Sequence, residues 1–280
     1  MTRNLNTTSL FLLSVFILLV TSCSSSPTPT EPSPTAAPTQ TQLPTPAPTE
    51  TSTPIASNGT IQFSGYEWEV RDSGLSGPGP NRWEAQNVWL DENGDLHLKI
   101  ALTAEGWSCA EVTMTQSLGF GRYQFQVIGR VDQLDPNVVL GLFNYPTPDV
   151  GQDATHEIDI EFARWGNPAW EIGNFTVWPA QEGLQRVSES FPVELNGTYT
   201  THRFTWQSDR IFFQSLHDHT DNDEYKIAEW LYQPQEPEKY ISQQAMPVHI
   251  NLWLFQGQAP TDGKEVEIVI HRFTFTPLGQ

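Results

Sequence analysis

The residues with the clearest chemical potential form one short run, His156 to Phe162, in which three acids alternate with apolar residues. If the run is a β-strand, positions i, i+2 and i+4 share a face, so Glu157, Asp159 and Glu161 lie on one side. Neighbouring like charges repel, and such a cluster relieves the repulsion by keeping a proton, which raises an apparent pKa. Hydrolysis of a glycosidic bond uses this asymmetry, because it needs one ionised carboxylate and one protonated carboxyl group.

Distance sets a condition on this chemistry. Residues four apart on a strand are ~13 Å apart at Cα, whereas a retaining pair of carboxyl groups is about 5–5.5 Å apart. Glu157 and Glu161 would have to lean toward each other across Asp159. Taken alone, alternating acids on a strand are more often a solvated face than an active site, so the rest of the sequence has to decide.

The elements that must position these acids are predicted to be strands. No stretch shows a sustained apolar repeat at helical spacing, whereas short alternating runs recur along the chain. Predicted strands cover residues 67–71, 87–90, 96–102, 109–116, 121–129, 137–143, 155–163, 171–178, 200–206, 210–215, 247–255 and 265–277. The turn sequence at 91–94 predicts a hairpin, and a slip of the alternation at His271-Arg272 predicts a β-bulge. This pattern predicts an all-β fold, a two-sheet antiparallel jelly-roll sandwich.

Charge and composition narrow the range of partners. The chain has 280 residues, with 14 Lys and Arg against 33 Asp and Glu, a formal net charge of −19. A nucleic acid partner is not expected, because its phosphates are met by clustered Lys and Arg. Ten Trp residues exceed what a core alone requires. A neutral partner is favoured, and we expect a monomer.

The N-terminus carries features of an export signal. Arg3 precedes an apolar stretch from Leu10 to Val20, which is too short to cross ~30 Å of hydrocarbon and fits a secretory signal. The residues Val20 to Cys23 resemble the bacterial lipobox. Residues 1–22 are therefore predicted to be a lipoprotein signal peptide and Cys23 the lipid attachment site, which places the protein at the bacterial cell surface, with only its lipid in the membrane. An ordinary cleaved signal is the alternative.

Residues 23–55 are predicted to form a disordered tether. Between Ser24 and Pro54 there are 9 Pro, 9 Thr and 5 Ser, a composition that cannot bury enough surface to offset its conformational entropy. An extended spacer is expected. The domain then covers residues 56–280, with 13 basic and 31 acidic residues.

The HEIDIEF run resembles the signature of glycoside hydrolase family 16, and flanking blocks extend the resemblance over most of residues 62–276. These blocks are similar to lichenase-type β-glucanases: NRW at 81–83, GDLHL at 94–98, SCAE at 108–111, GFGRY at 119–123, HRFTW at 202–206 and NLW at 251–253. Their occurrence in the same order is more specific than any one block.

The resemblance implies a concanavalin A-like jelly roll that cleaves internal bonds of a polysaccharide with retention of configuration. Glu157 would be the nucleophile, Glu161 the acid/base and Asp159 the residue that tunes the nucleophile. The uninterrupted E-I-D-I-E spacing resembles the lichenase and xyloglucan-active branches, which favours a neutral glucan with β-1,3 or β-1,3-1,4 linkages. Two alternatives stay open: a non-catalytic carbohydrate-binding protein on this fold, and a transglycosylase.

The resemblance also suggests substrate-binding residues. Trp253 and Trp178 would stack on sugar rings, although core packing is the rival role for Trp253. Asn81 and Asn174 would bind sugar hydroxyls, although turn roles are equally expected. Glu111 matches an acid in the lichenase cleft.

Two positions depart from the family pattern. Thr113 stands where lichenases carry an Arg, which weakens the expectation of strict lichenase specificity. His271 stands where the family often has an acid that binds a structural calcium. We therefore predict no metal, and no cofactor.

Overall fold

A computed structural model describes residues 59–279. The predicted signal peptide, Cys23 and the tether lie outside this range, as do the first three residues of the predicted domain. Within residues 59–279 there are seventeen strands, one α-helix of four residues and three short 3-10 turns. No helix in this part of the chain is long and apolar enough to cross a membrane.

The strands are β1 (Thr60–Phe63), β2 (Tyr66–Val70), β3 (Gly74–Ser76), β4 (Asn81–Trp83), β5 (Val88–Leu90), β6 (Leu96–Thr103), β7 (Gly106–Leu118), β8 (Gly121–Ile128), β9 (Val138–Asn144), β10 (Ile158–Phe162), β11 (Gly173–Val177), β12 (Val187–Phe191), β13 (Tyr199–Trp206), β14 (Ile211–His217), β15 (Lys226–Tyr232), β16 (Met246–Leu254) and β17 (Val266–Pro277). The helix α1 covers Pro237–Tyr240, and the 3-10 turns cover Ala85–Asn87, Val131–Gln133 and Phe255–Gly257.

Two antiparallel sheets are stacked on each other. The front sheet has the order β1-β2-β7-β16-β9-β10-β11-β12, and the back sheet has the order β5-β6-β17-β8-β13-β14-β15. The small strand β4 pairs with β7 in parallel. This arrangement confirms the prediction of an all-β jelly-roll sandwich.

Apolar residues of the two sheets meet in a common core. Phe175 of β11 stacks on Phe213 of β14, with ring centroids 5.0 Å apart, and Trp68 of β2 contacts Phe273 of β17 edge-on at 5.7 Å. Because side chains alternate along a strand, the residues between these core positions face outward. Part of the tryptophan excess is core, since Trp68, Trp83 and Trp206 are fully buried.

Local features of the prediction are found at their expected places. The pairing of β17 with β8 shifts between Ile270 and Arg272, which is the predicted bulge. One strand begins later than predicted: β10 starts at Ile158, because Ala154 and His156 have φ angles of 67° and 63°, outside the range of a strand. Glu157 therefore lies at the junction between a turn and the strand.

Candidate active site

The outer face of the front sheet carries three rows of side chains that run across the strands in register. The row through Glu161 contains Asn174, Glu161, Gly141, Asn251 and Glu111. The row through Asp159 contains Thr176, Asp159, Phe143, His249 and Thr113. The row through Glu157 continues the register one position beyond the strand ends and contains Arg186, Trp178, Glu157 and Tyr145.

The three predicted acids lie on this outer face, while Ile158, Ile160 and Phe162 between them are buried in the core. Asp159 is only 2% exposed, although it lies in the outward-facing row. Burial raises the pKa of all three carboxyl groups, that of Glu161 to about 7 and that of Glu157 to about 8. After burial, the charge of Glu161 is the next cause of the raised pKa of Glu157. The charge of Glu161 therefore affects the pKa of Glu157 even though Asp159 lies between them in the sequence.

Asp159 is the centre of the hydrogen bonding in this cluster. The indole Nε1 of Trp178 donates to its Oδ2 across 3.0 Å. Burial, followed by the charges of Glu157 and Glu161, holds the pKa of Asp159 well above its usual range, and its side chain is hydrogen-bonded to Glu157. Two carboxyl groups share a hydrogen bond only when one carries a proton. Because this bond lowers the pKa of Glu157, Asp159 acts as the donor.

The protonation states of Glu157 and Glu161 depend on each other. Repulsion between Glu157 and Glu161 is mutual, so one proton leaves the pair more easily than two. The pKa of Glu157 reaches about 8 partly through the charge of Glu161, and this contribution is absent while Glu161 keeps its proton. While Glu161 is neutral, burial is the main cause that raises the pKa of Glu157, and the hydrogen bond from Asp159 is the largest cause that lowers it.

A second polar cluster surrounds Glu111, at the far end of its row. Arg71 Nη1 donates to Glu111 Oε2 across 2.7 Å, and His249 Nδ1 lies 3.0 Å from Glu111 Oε1. Although burial raises it, the pKa of Glu111 stays below its usual range because of the hydrogen bond with His249 and the charges of His249 and Arg71. Arg71, directly after β2, therefore provides the cation that pairs with Glu111. Thr113, at the position where lichenases carry an Arg, has its Oγ1 3.1 Å from His249 Nδ1.

Flat side chains lie between the two clusters. Phe143 stacks on His249, with centroids 5.1 Å apart, and Tyr145 meets the same ring edge-on at 5.7 Å. Tyr145 donates its hydroxyl hydrogen to Asp153 Oδ1 across 2.7 Å. Asn251 is 5% exposed, and its buried Oδ1 has no hydrogen-bond partner within residues 59–279. The face therefore combines ionisable groups, amide groups and aromatic surfaces.

Comparison with known proteins adds the identity of the fold. No protein-family model matches the chain, and a search of curated proteins finds no match. Solved structures do match. A Bacillus licheniformis β-glucanase gives a TM-score of 0.58 at 20% identity, covering 79% of this chain and 100% of that one. The chain shares the fold of this β-glucanase.

Two further solved structures share this β-glucanase fold. The GH16 protein of the Bacteroides ovatus mixed-linkage glucan PUL, in complex with the product G4G4G3G, has a TM-score of 0.59 at 12% identity, covering 75% of this chain and 94% of that one. A pseudo β-1,3-glucanase and immunostimulatory antigen of Mycobacterium tuberculosis has a TM-score of 0.55 at 21% identity, covering 75% and 91%.

The two asparagines predicted to bind sugar hydroxyls form hydrogen bonds with the backbone of the protein. Asn81 donates its amide hydrogens to the carbonyl oxygens of Pro78 and Leu254, and Asn174 donates to Ala163 and Ile172. Both amide groups are therefore engaged within the protein.

The two tryptophans predicted to stack on sugar rings have little free ring surface. Trp253 is 9% exposed, and Trp178 uses its indole N–H for Asp159 and one ring face for the guanidinium of Arg186, 4.7 Å away. The substrate-binding roles of Asn81, Asn174, Glu111, Trp178 and Trp253 stay predictions.

Seven residues of this face that bear on its chemistry were not predicted from the sequence: Arg71, Gly141, Phe143, Tyr145, Arg186, His249 and Asn251. Asn251 lies in the NLW block that carries the family resemblance, so that block contained a signal for it. The others become neighbours only through strand pairing, as with Glu111 and His249, which are 138 positions apart.

No three His, Cys, Asp or Glu side chains in the range 59–279 are arranged to hold a metal ion. His271, at the position where the family often has a calcium-binding acid, instead has Nδ1 2.8 Å from Asp95 Oδ1. That no metal or cofactor takes part stays a prediction.

Proposed function

We propose that this protein is a retaining, endo-acting glycoside hydrolase that cleaves a β-linked glucan with β-1,3 or β-1,3-1,4 linkages, or a similar neutral polysaccharide. The observation that carries the proposal is the group Glu157, Asp159 and Glu161 on one face of the front sheet, whose raised pKa values let protonated and ionised carboxyl groups coexist near neutral pH. A retaining glycosidase needs this combination of an ionised and a protonated carboxyl group. The names of the structural neighbours support the substrate class.

In the first step, the Glu161 carboxyl group gives its proton to the glycosidic oxygen. A carboxylate oxygen of Glu157 attacks the anomeric carbon from the other face, and the bond from this carbon to the glycosidic oxygen breaks. In the second step, Glu161 takes a proton from water, and the hydroxide oxygen displaces Glu157 from the anomeric carbon. Two displacements restore the original configuration.

Asp159 keeps its proton throughout these steps. By donating to Glu157 it stabilises the ionised nucleophile, and by accepting from Trp178 its own orientation is fixed. The carboxyl group of Asp159 therefore acts as a neutral hydrogen-bond donor. A carboxyl group does this at neutral pH only when burial and nearby charges raise its pKa, as they do here.

The rest of the face supports a neutral sugar chain. Phe143 and Tyr145 provide aromatic surface of the kind that packs on the apolar side of a pyranose ring. Asn251 and His249 offer hydrogen-bonding groups for hydroxyls. The guanidinium of Arg71 is already paired with Glu111, so it does not call for an anionic substrate.

The test is the release of reducing ends from a panel of glucans. Wild type should act on at least one β-linked glucan, whereas Glu157→Gln and Glu161→Gln should be inactive. In alanine variants, azide identifies the roles: Glu157→Ala with azide should give an α-glycosyl azide, and Glu161→Ala with azide a β-glycosyl azide. The opposite anomers would contradict the assignment of nucleophile and acid.

Carbohydrate binding without turnover is a second candidate, favoured by the fold likeness to a protein described as a pseudo β-1,3-glucanase. Retarded migration in a glucan-containing gel, with no product from any glucan, would support it. A transglycosylase would share the same residues and differ in whether a sugar hydroxyl replaces water. Mass spectrometry would then show products longer than the starting oligosaccharide.

We also propose that the protein is exported, anchored by lipid at Cys23 and monomeric, which would place the domain near extracellular polysaccharide. The apolar stretch from Leu10 to Val20 and the residues before Cys23 support this. Labelling with a radioactive fatty acid should mark the wild type and leave Cys23→Ser unmarked. Equal labelling of both would contradict the anchor, and light scattering would give the oligomeric state.

A further inference from the structure

Arg186 lies at the end of the row that contains the proposed nucleophile. Val177 pairs with Val187, and Ile158 pairs with Val177, so one position further along Arg186 is opposite Trp178, which is opposite Glu157. The backbone N–H of Trp178 donates to the carbonyl oxygen of Glu157 across 2.9 Å, as this register requires. Arg186, Trp178 and Glu157 are therefore cross-strand neighbours on one face.

The guanidinium of Arg186 is held by an aromatic ring and by no acid. Its Cζ lies 4.7 Å from the centroid of the Trp178 ring, the geometry of a cation–π contact. Within residues 59–279 it makes no ion pair and no hydrogen bond. Most arginines of the domain are paired, as Arg71 is with Glu111 and Arg130 with Asp132. The positive charge of Arg186 is thus not neutralised by a direct partner.

We propose that Arg186 and Trp178 form a positioning pair for the carboxyl row, the three acids Glu157, Asp159 and Glu161. The stacked guanidinium orients the indole toward Asp159 and places one positive charge beside Glu157 and Glu161. This inference rests on the proposed function. It assigns a role to Arg186, an exposed residue directly before β12. It also assigns a role to the ring face of Trp178 on which a sugar was predicted to stack.

The charge works against the effect of burial. Arg186 lowers the pKa of both Glu157 and Glu161, whereas the charges of Glu161 and Asp153 raise that of Glu157. Asp159 of β10, Tyr145 directly after β9, and the neighbouring His156 are further titratable groups beside Glu157. Among the charges that act on Glu157 within residues 59–279, that of Arg186 is the positive one. Without it, Glu157 would keep its proton to a higher pH and lose nucleophilic character at neutral pH.

Trp178 links this charge to the hydrogen bonding of the site. Its ring faces Arg186, and its N–H points to Asp159. Asp159 in turn donates to Glu157, so the indole fixes the rotamer of the group that stabilises the nucleophile. Replacing the indole by phenyl keeps a ring for Arg186 to stack on and removes only the donor. The two members of the pair are therefore separable by mutation.

The first test compares Arg186→Gln and Arg186→Lys with the control Arg272→Gln. Arg272 is an exposed arginine of β17 in the back sheet, so this control removes the same charge far from the carboxyl row. Arg186→Gln should move both limbs of the pH profile of kcat/KM upward, and a shift of one pH unit lowers kcat/KM about tenfold on the acidic limb. Arg186→Lys should restore part of the wild-type profile, and Arg272→Gln should match the wild type.

The second test uses Trp178→Phe. Loss of the donor should lower kcat and leave KM nearly unchanged, because the ring that lines the face is kept. Arg186→Gln should still shift the pH profile in this background. A rise in KM with an unchanged kcat would instead assign Trp178 to sugar binding and overturn its positioning role.

A readout without turnover separates this inference from the proposed function. Carboxyl carbons of Glu157 and Glu161 can be followed by ¹³C NMR from pH 4 to pH 9 in the wild type, Arg186→Gln and Arg272→Gln. If no glucan is hydrolysed but Arg186→Gln shifts these titrations upward, the proposed function fails and the charge effect stands. Coincident titrations in all three proteins would overturn the role of Arg186.

Discussion

Asn251 places its side-chain Oδ1 2.5 Å from the point where Gly141 would carry a Cβ atom. Gly141 separates Asn251 from Glu161 in the central row, since it pairs with both residues. Glycine is needed there because the amide of Asn251 occupies the space above its Cα. The Asn251 side chain can therefore take this position near Glu161 only because residue 141 has no Cβ atom.

Gly141→Ala should therefore displace the Asn251 side chain and lower kcat/KM by about tenfold or more, mainly through KM. A double-mutant cycle with Asn251→Ala, measured on the best glucan, tests the cause. Since Asn251→Ala removes the shortest clash and leaves the 3.3 Å contacts with the Phe143 ring, Gly141→Ala should have a smaller effect in that background. Additive losses would show that Gly141 acts independently of Asn251.

Glu111→Gln should destabilise the domain by about 2 kcal/mol, since it removes the counter-ion of the half-buried Arg71. Urea unfolding checks this value. The matched control is Glu265→Gln, which breaks the exposed ion pair of Glu265 and Lys99, also 2.7 Å long, and should change the free energy of unfolding by less than about 1 kcal/mol. Equal losses in the two variants would contradict the importance of burial.

Much of the fold could be predicted from the sequence because the front and back sheets bury one face each. Alternating apolar residues mark β6, β8 and β17, and the slip of alternation at His271 marked the bulge. Strand β12 was missed for the same reason: four of its five residues are exposed, so Val187–Phe191 carries no apolar alternation. Arg186 lies directly before β12, and no pattern in the sequence places it near Glu157.

The carboxyl row was predictable because its residues are contiguous on one strand. The residues that surround it come from β7, β9, β11 and β16 and from the segments that adjoin them, and strand order is not encoded in local periodicity. Trp178 shows the limit most clearly. A tryptophan beside a sugar-binding site suggests stacking, but its indole N–H is bonded to Asp159, and this bond exists only because β10 and β11 are in one particular register.

Neutralising the proposed acid/base, Glu161, should stabilise the fold at high pH. The pKa of Glu161 is raised from its usual value to about 7, so its contribution to stability is fully present below about pH 4.5 and is lost as pH rises through about 7. Glu161→Gln avoids this loss, which amounts to roughly 3 kcal/mol at pH 8. Melting curves should show a higher Tm than wild type at pH 8 and a similar Tm at pH 4. A lower Tm than wild type at pH 8 would contradict the prediction that ionised Glu161 destabilises the fold.

His202 should make the domain sensitive to acid. The imidazole is fully buried between Ser215 Oγ, 3.0 Å from Nδ1, and Thr200 Oγ1, 2.8 Å from Nε2. Burial, with the charge of His219 as a smaller cause, lowers the pKa of His202 to about 3. The unfolded chain takes up a proton near pH 6.5 and the folded domain does not, so stability falls as pH falls from about 6.5 toward 3, by about 1.4 kcal/mol per pH unit. In His202→Gln, the slope of unfolding free energy against pH between 6 and 4 should be shallower by that amount, and an unchanged slope would show that the imidazole is not held neutral.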